Sequence, residues 1–238
     1  MANTFFQFKQ FRVEQDKCAM KVCTDSCLFG AYVDVQQAKR ILDIGTGTGL
    51  LSLMVAQRSE AFIDAVEINQ EAAGQAQENF LNSPWGSQLT LYPTSLQEFA
   101  GRNQQDYDII LSNPPFFLSS LKSGDTAKDV AKHSAELLFE DILKFSQKHL
   151  TKEGKLYLLL PPWEAQYFST LASNYSLHLN KSLAVYTYTY GQCIRHIQTY
   201  SFTPTTNLTG NIIDIREADR VTYTCDFRDL LKSYYLIF

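Results

Sequence analysis

The sequence predicts an α/β fold with a mostly parallel sheet and helices on both faces, on three observations. From residue 40 onward, short apolar runs alternate with longer amphipathic ones, the rhythm of βαβ units. A glycine-rich turn, Gly45-Thr46-Gly47-Thr48-Gly49, separates the first apolar run from the first amphipathic one. The chain has 238 residues, 45% of them apolar and 19% charged. At that size folding buries about 70–75% of the unfolded surface, enough core to need no staples.

The elements follow in order. Residues 40–44 read as a first strand and 50–58 as the helix behind it. Residues 61–68 read as a second strand, and 70–82 as a helix stopped by Asn82-Ser83-Pro84. Proline removes a backbone donor there and restricts the residue before it. Residues 89–92 form a short third strand, and 107–112 a fourth whose composition suits burial on both faces. The polar stretch 119–132 reads as a long loop over the site. Helical spacing resumes over 138–150, with Glu140 and Asp141 in the first turn, Lys148 and His149 in the last and Gly154 beyond. That order suits the helix dipole. A fifth strand spans 155–160 and a helix 163–173. Residues 177–190 and 194–202, β-branched and aromatic around Gly191, predict an antiparallel pair. The alternation Tyr186-x-Tyr188-x-Tyr190 reads as one packed face of a strand. Segments 211–216 and 221–225 and a helix over 227–235 complete the chain.

Composition narrows the setting. Net charge is −4 and the isoelectric point about 5.6, without the bulk basic field common in nucleic-acid proteins. RNA contact would need a local patch, for which Lys9, Lys17, Lys21, Lys122, Lys128 and Lys132 are the candidates. The N-terminus lacks the basic and long apolar regions of a signal peptide. The run 156–160 ends at Pro161-Pro162, far too short to span a bilayer. Five cysteines, at 18, 23, 27, 193 and 225, fit reduced thiols and a cytoplasmic setting. No CxxC pair or neighbouring histidine supports zinc at Cys18, Cys23 and Cys27, so no metal is expected.

Asp43-Ile44-Gly45-Thr46-Gly47-Thr48-Gly49 sits between the first strand and its helix. Glycines permit positive φ and close approach to a ligand, and a helix N-terminus follows them. A dinucleotide turn is spaced G-x-G-x-x-G to seat a pyrophosphate. Here the third glycine comes one residue early, and Asp43 would repel a phosphate. The acidic residue instead suits a cationic ligand, such as the sulfonium amino acid of S-adenosylmethionine. Glu67, ending the second strand, can accept both hydroxyls of a ribose, with Ile68 beside it.

Asn113-Pro114-Pro115-Phe116 follows the fourth strand, at the carboxyl edge where open α/β sheets bind ligands. Each proline fixes its own φ and extends its predecessor, which aims the carbonyls of Asn113 and Pro114. The tetrapeptide suits a planar amine. An aromatic amine is a poor nucleophile because its lone pair is delocalised. Accepting both N–H hydrogens at Asn113 Oδ1 and the Pro114 carbonyl favours a localised lone pair, and Phe116 can stack on a flipped base. A proline-rich turn with Phe116 in the core is the plainer account of the four residues alone.

Together these residues resemble class I S-adenosylmethionine-dependent methyltransferases that methylate amino groups. Phe6-x-Phe8, Met20-Lys21-Val22-Cys23-Thr24-Asp25, Leu28-Phe29-Gly30-Ala31-Tyr32 and Leu231-Lys232-Ser233-Tyr234-Tyr235-Leu236 are further similar to the bacterial tRNA1(Val) (adenine(37)-N6)-methyltransferase family. The similarity departs at Cys23, where relatives more often carry Gly or Ser, and at Phe116, where they more often carry Tyr. It implies a Rossmann-like domain over 1–238, with a seven-stranded sheet and a small C-terminal β/α extension. Residues 1–39 would cap the cofactor, 40–203 form the core and 204–238 the extension. It implies S-adenosylmethionine as donor and N6-methylation of an adenine in the anticodon loop of a valine tRNA, by a protein favoured to be a monomer. Lys21, Thr24 and Asp25 would line the methionine end of the cofactor. Asp43, Gly45, Gly47 and Gly49 would hold its amino acid, Glu67 and Ile68 its ribose, and Ser95 and Leu96 its adenine. Asn113 would touch both cofactor and amine.

Phe117, His133 and Arg195 are further substrate candidates. A surface or capping role suits His133 equally, and an ordinary solvent-facing charge suits Arg195 better. The Asn-Pro-Pro-aromatic motif also serves guanine-N2 rRNA and glutamine-N5 protein methyltransferases, which are the alternatives. A non-catalytic RNA-binding protein is a third, disfavoured by Asp43, Glu67 and Asn113 occurring together.

Overall fold

The computed structural model describes residues 3–18, 20–115 and 125–238, apart from the side chains of 125–136. The chain opens with a hairpin, β1 (Phe5–Gln7) and β2 (Arg12–Glu14), and a helix α1 (Thr24–Tyr32). The repeating part runs β3 (Arg40–Ile44), α2 (Leu50–Ala56), β4 (Phe62–Val66), α3 (Gln70–Leu81), β5 (Leu89–Tyr92) and α4 (Leu96–Arg102). It continues with β6 (Tyr107–Ser112), α5 (Asp125–His149), β7 (Leu150–Leu160) and α6 (Pro162–Ala172). Strands β8 (His178–Tyr186), β9 (Cys193–Ser201) and β10 (Thr209–Asp214) and helix α7 (Cys225–Leu231) end the chain.

Strands β3 to β10 form one sheet in the order β10-β8-β9-β7-β6-β3-β4-β5. Only β9 runs against the rest. Successive strand residues point to opposite faces, so Ile41, Ile109 and Leu111 pack with α1 and α2, while Leu42 and Ile110 pack with α5 and α6. The carboxyl ends of β6, β3, β4 and β5 therefore lie side by side along one edge.

The predicted strands and the helices over 50–58, 70–82 and 163–173 recur within a few residues. Four differences have physical causes. The sheet has eight strands, not seven, because β10 pairs parallel with β8 from Thr209↔Lys181 to Asp214↔Tyr186. Helix α5 begins at Asp125, so 125–132 is helix and not loop; the stretch is polar, yet it contains good helix formers and neither Gly nor Pro. Strand β7 begins at Leu150, which pairs with Tyr107 before a register shift. Strand β8 stops at Tyr186, so Tyr188 and Tyr190 belong to the turn, with Tyr190 at φ 67° and 95% exposed. The tyrosine alternation is thus not a packed strand face. Segment 221–225 supplies a single bridge, Arg216↔Tyr223, and the cap of α7.

The two chain ends meet. Phe6 and Phe8 lie 5.8 and 6.1 Å from the Tyr235 ring, and Lys9 Nζ donates to the carbonyls of Lys232 and Phe238 at 2.6 and 2.7 Å. Tyr234, buried, donates to Met54 O at 2.8 Å and accepts from Arg58 Nε at 2.6 Å. Arg58 Nη2 in turn donates to Gly30 O and Val33 O at 2.7 and 2.9 Å. Helix α1 packs on α2 closely because Gly30 has no side chain; a Cβ there would meet Met54 Sδ at 2.7 Å. The N-terminal segment is therefore locked to α2 by the C-terminal one. Tyr234→Phe removes one hydroxyl from this lock and is expected to lower stability by about 1–3 kcal/mol, measured by denaturant unfolding.

Candidate active site

The turn after β3 needs glycine for two different reasons. Gly45, Gly47 and Gly49 take φ of 73°, 58° and 83°, a region costly for residues with a Cβ. At Gly49 a Cβ would also stand 2.4 Å from Phe80 Cε1, inside the core. At Gly45 and Gly47 nothing lies within 4 Å of that position, so the backbone there faces open space. The turn is pinned by the N–H groups of Gly45 and Thr46, which donate to Val66 O at 2.8 and 3.1 Å.

Asp43 is fully buried beneath this turn. Its Oδ2 accepts from Thr46 Oγ1 at 2.6 Å and Ser52 Oγ at 2.7 Å. Its Oδ1 is buried with no partner among the described residues. Burial pushes the carboxyl up to about 6, against the lowering effect of the two hydroxyls. Glu67 follows β4 and is nearly buried. It accepts from Gly47 N at 2.9 Å and Asn69 N at 2.8 Å, one bond to each oxygen. A carboxylate has about four acceptor sites, so Glu67 is oriented by the backbone with capacity left. Ile68 beside it is 70% exposed. Ser95 caps α4, accepting from Glu98 N at 3.2 Å, and Leu96 packs into the core.

Asn113 follows β6, the neighbour of β3. Its Nδ2 donates to Ser26 Oγ on α1 at 2.9 Å, and its Oδ1 is buried without a partner among the described residues. Pro114 is buried and Pro115 exposed. Phe116 and Phe117 lie outside the described residues, and so does the side chain of His133, a backbone position of α5. Lys21, Ser26, Gly45, Gly47 and Asn113 line one small pocket of about 60 Å³. A larger cavity, about 440 Å³, lies between Tyr32, Lys155 and Asn180. Of the residues in the motifs the sequence singled out it contains Tyr32, and none of the candidate catalytic, cofactor or substrate residues.

The N-terminal segment walls the site through side chains no motif revealed. Asn79 on α3 donates to both Glu14 O and Thr48 O at 2.9 Å and accepts from Glu14 N at 2.9 Å. Gln75, one turn earlier, accepts from Lys17 N at 2.8 Å. The available signal was two amides four residues apart on an alanine-rich helix. Thr24 opens α1 and is exposed.

Several cations have structural partners. Arg195 is not solvent-facing: its Nε lies 2.9 Å from Asp25 Oδ2, with only 23% of its side chain exposed. Lys21 Nζ donates to the carbonyls of Gln15 and Cys18. Lys17 pairs with Glu78 at 2.6 Å, and Lys9 binds the C-terminal carbonyls. Lys122 and the side chains of Lys128 and Lys132 lie outside the described residues.

The model of the methyltransferase small domain matches residues 18–174. A tRNA1(Val) (adenine(37)-N6)-methyltransferase of Cytophaga hutchinsonii is 45% identical, with 99% of each chain covered. The protein of that name in Dyadobacter fermentans is 44% identical, again over 99% of each chain. The chain belongs to the tRNA1(Val) (adenine(37)-N6)-methyltransferase family. Among solved structures, a predicted O-methyltransferase of Agrobacterium tumefaciens has a TM-score of 0.69 at 20% identity, covering 88% of this chain and 96% of its own. A ribosomal protein L11 methylase of Lactobacillus delbrueckii subsp. bulgaricus gives 0.55 at 15% identity, over 79% and 83%. These establish the fold of this family member as that of methyltransferases.

Gly49→Ala is expected to destabilise the protein clearly more than Gly45→Ala. Both pay about 1–2 kcal/mol for positive φ, and only the first also forces Phe80 from its place. Parallel thermal unfolding of the two variants measures the difference.

Proposed function

We propose that this protein transfers a methyl group from S-adenosylmethionine to N6 of adenine 37 in the anticodon loop of tRNA1(Val). The observation that carries the reading is Asn113, whose buried Oδ1 has no partner among the described residues while its Nδ2 is already engaged. A buried acceptor left empty is unfavourable, and an amine hydrogen satisfies it. The substrate identity rests on the whole-length relatives.

The residues present fit the donor. The turn after β3, Glu67 after β4 and Ser95 after β5 follow in sheet order from Asn113. Three strand spacings make that row about 14 Å long, room for a ligand with an amino acid at one end and a nucleoside at the other. The open backbone at Gly45 and Gly47 admits close approach, and buried Asp43 supplies negative charge. Lys21, Thr24 and Asp25 flank the amino-acid end; Glu67 and Ile68 serve the ribose, and Ser95 and Leu96 the adenine. When bound, S-adenosylmethionine supplies an electrophilic methyl group on a positively charged sulfur.

The rest is done by the chain. Asn113 Oδ1 and the Pro114 carbonyl accept the two hydrogens of the adenine amine and hold its lone pair out of the ring plane. Phe116 supplies a ring to stack on the base. His133 and Phe117 are further substrate contacts. An anticodon loop exposes its base edges without duplex opening, so stacking and edge contacts suffice for recognition. That suits an acidic chain whose Lys9, Lys17 and Lys21 are already engaged. A cytoplasmic setting goes with such a substrate; among the described residues no helix is long and apolar enough to cross a membrane.

Asn113→Ala is expected to keep the affinity for S-adenosylmethionine, measured by calorimetry, while turnover on tRNA1(Val) falls by about 10² or more. Undiminished methyl transfer to the same tRNA with adenine 37 replaced would overturn the substrate. The carboxyl of Asp43 gives a pH test. In the free protein it is protonated below about 6, and a cationic ligand favours its ionised form. Affinity for S-adenosylmethionine should therefore fall as pH drops through 6 and level off above it, and Asp43→Asn should flatten that profile.

A further inference from the structure

An asparagine amide can sit in two orientations of nearly equal shape, exchanging its oxygen and nitrogen. Asn113 can serve as an amine acceptor in only one of them. Its immediate neighbour, Ser26 Oγ, does not by itself decide, because a hydroxyl can donate to Oδ1 as readily as it accepts from Nδ2. The decision must come from where the Ser26 hydrogen is committed.

The surroundings of Ser26 answer this. Ser26 is the third residue of α1 and 4% exposed. Its Oγ lies 2.9 Å from Cys23 Sγ as well as 2.9 Å from Asn113 Nδ2. Cys23 is half-buried, and burial first, then the charge and hydrogen bonding of Asp25, push its thiol up to about 11. The thiol therefore keeps its hydrogen at neutral pH. Asp25 is held in turn by Arg195, 2.9 Å away on β9. The Asp25 carboxylate, paired with Arg195, is also a hydrogen-bond partner of the Cys23 thiol and takes its S–H. The sulfur then accepts from the Ser26 hydroxyl, whose oxygen is left to accept from Asn113.

We propose that Arg195, Asp25, Cys23 and Ser26 form a relay of hydrogen-bond polarity that fixes the Asn113 amide with Nδ2 turned into the protein and Oδ1 free for the substrate amine. Ser26 is the positioning residue, acting through Asn113 and touching no reacting atom. The inference rests on the assignment of Asn113 as amine acceptor. It also gives Arg195 and Asp25 a task beyond local charge balance: the paired carboxylate sets the direction in which each later group donates.

The test is a double-mutant cycle on Ser26 and Asn113, read on S-adenosylmethionine and tRNA. Ser26→Ala should lower kcat by about tenfold, the worth of one buried hydrogen bond, with KM for both substrates little changed and a melting temperature lowered only as far as one lost buried hydrogen bond requires. In the Asn113→Ala background the same substitution should lower the residual rate no further. Cys23→Ser, which can still donate and accept, should turn over at the wild-type rate. Cys23→Ala leaves every contact of Asn113 in place but frees the Ser26 hydrogen, and should slow turnover severalfold; it carries the test if Ser26→Ala does not fold. Wild-type kcat in Ser26→Ala and in Cys23→Ala, or equal loss from Ser26→Ala in both backgrounds, overturns the relay. If Asn113→Ala is itself fully active, the amine clamp falls and the relay with it. If Asn113→Ala is inactive while Ser26→Ala is unimpaired, only the relay falls.

Discussion

The buried carboxylate of Asp43 is the constraint on which the site depends. Taking a carboxylate fully out of water is expensive unless hydrogen bonds replace the lost solvent. Thr46 from the turn and Ser52 from α2 both donate to one of its oxygens. Those two bonds fold the glycine turn over the end of β3 and tie it to the first turns of α2. The other oxygen is left without a partner among the described residues. A group that organises the turn therefore also creates a demand for positive charge or a donor next to it. Structure and ligand preference come from one side chain.

The second wall is built differently, from amides and carbonyls instead of charge. Outside β2, the described residues between β1 and α1 have no regular structure, so their backbone groups need partners from elsewhere. Gln75 and Asn79 supply them from α3, at Lys17 and Glu14, Lys21 supplies them from within the segment, and Arg58 does so for the end of α1. Tyr234 and Lys9 then bring the C-terminus into the same structure. The motifs at the two ends of the sequence are thus one packed unit. Its effect at the site is to hold α1 at a fixed distance from β6, so that Ser26 can reach Asn113.

What was legible in the sequence follows this division. Strands β3 to β7 and the glycine turn are encoded locally, by apolar runs and by residues that only fit one backbone conformation. Their positions, with Asp43, Glu67 and Asn113 at the carboxyl edge, could be placed from pattern alone. Helix α1 could not, because it is buried on nearly every side and shows no amphipathic period. Nor could the partners of Arg195, since an arginine in a strand looks the same facing water or facing an aspartate 170 residues earlier. The start of α5 is hidden for the opposite reason: its first turns are polar, and polarity without Gly or Pro is no evidence for a loop.

Charge shows most clearly why local pattern misleads. A lysine count near the N-terminus suggests a basic patch for RNA. In the fold Lys9 and Lys21 spend their hydrogens on carbonyls, and Lys17 faces Glu78. Lys9 and Lys21 keep their charge but commit hydrogens to an irregular backbone, and Lys17 is paired with a carboxylate, so the count overstates the free basic patch. A net charge of −4 supplies no overall field to draw a polyanion to this protein. If Asn113 accepts the substrate amine as proposed, specificity comes from short-range fit at the base, where one correctly turned amide distinguishes an amine from a carbonyl. An acidic enzyme for a nucleic acid thus places a high premium on the orientation of Asn113. On that reading, the row from Arg195 through Asp25 and Cys23 to the buried Ser26 has a reason to exist: it chooses which end of the Asn113 amide faces the substrate.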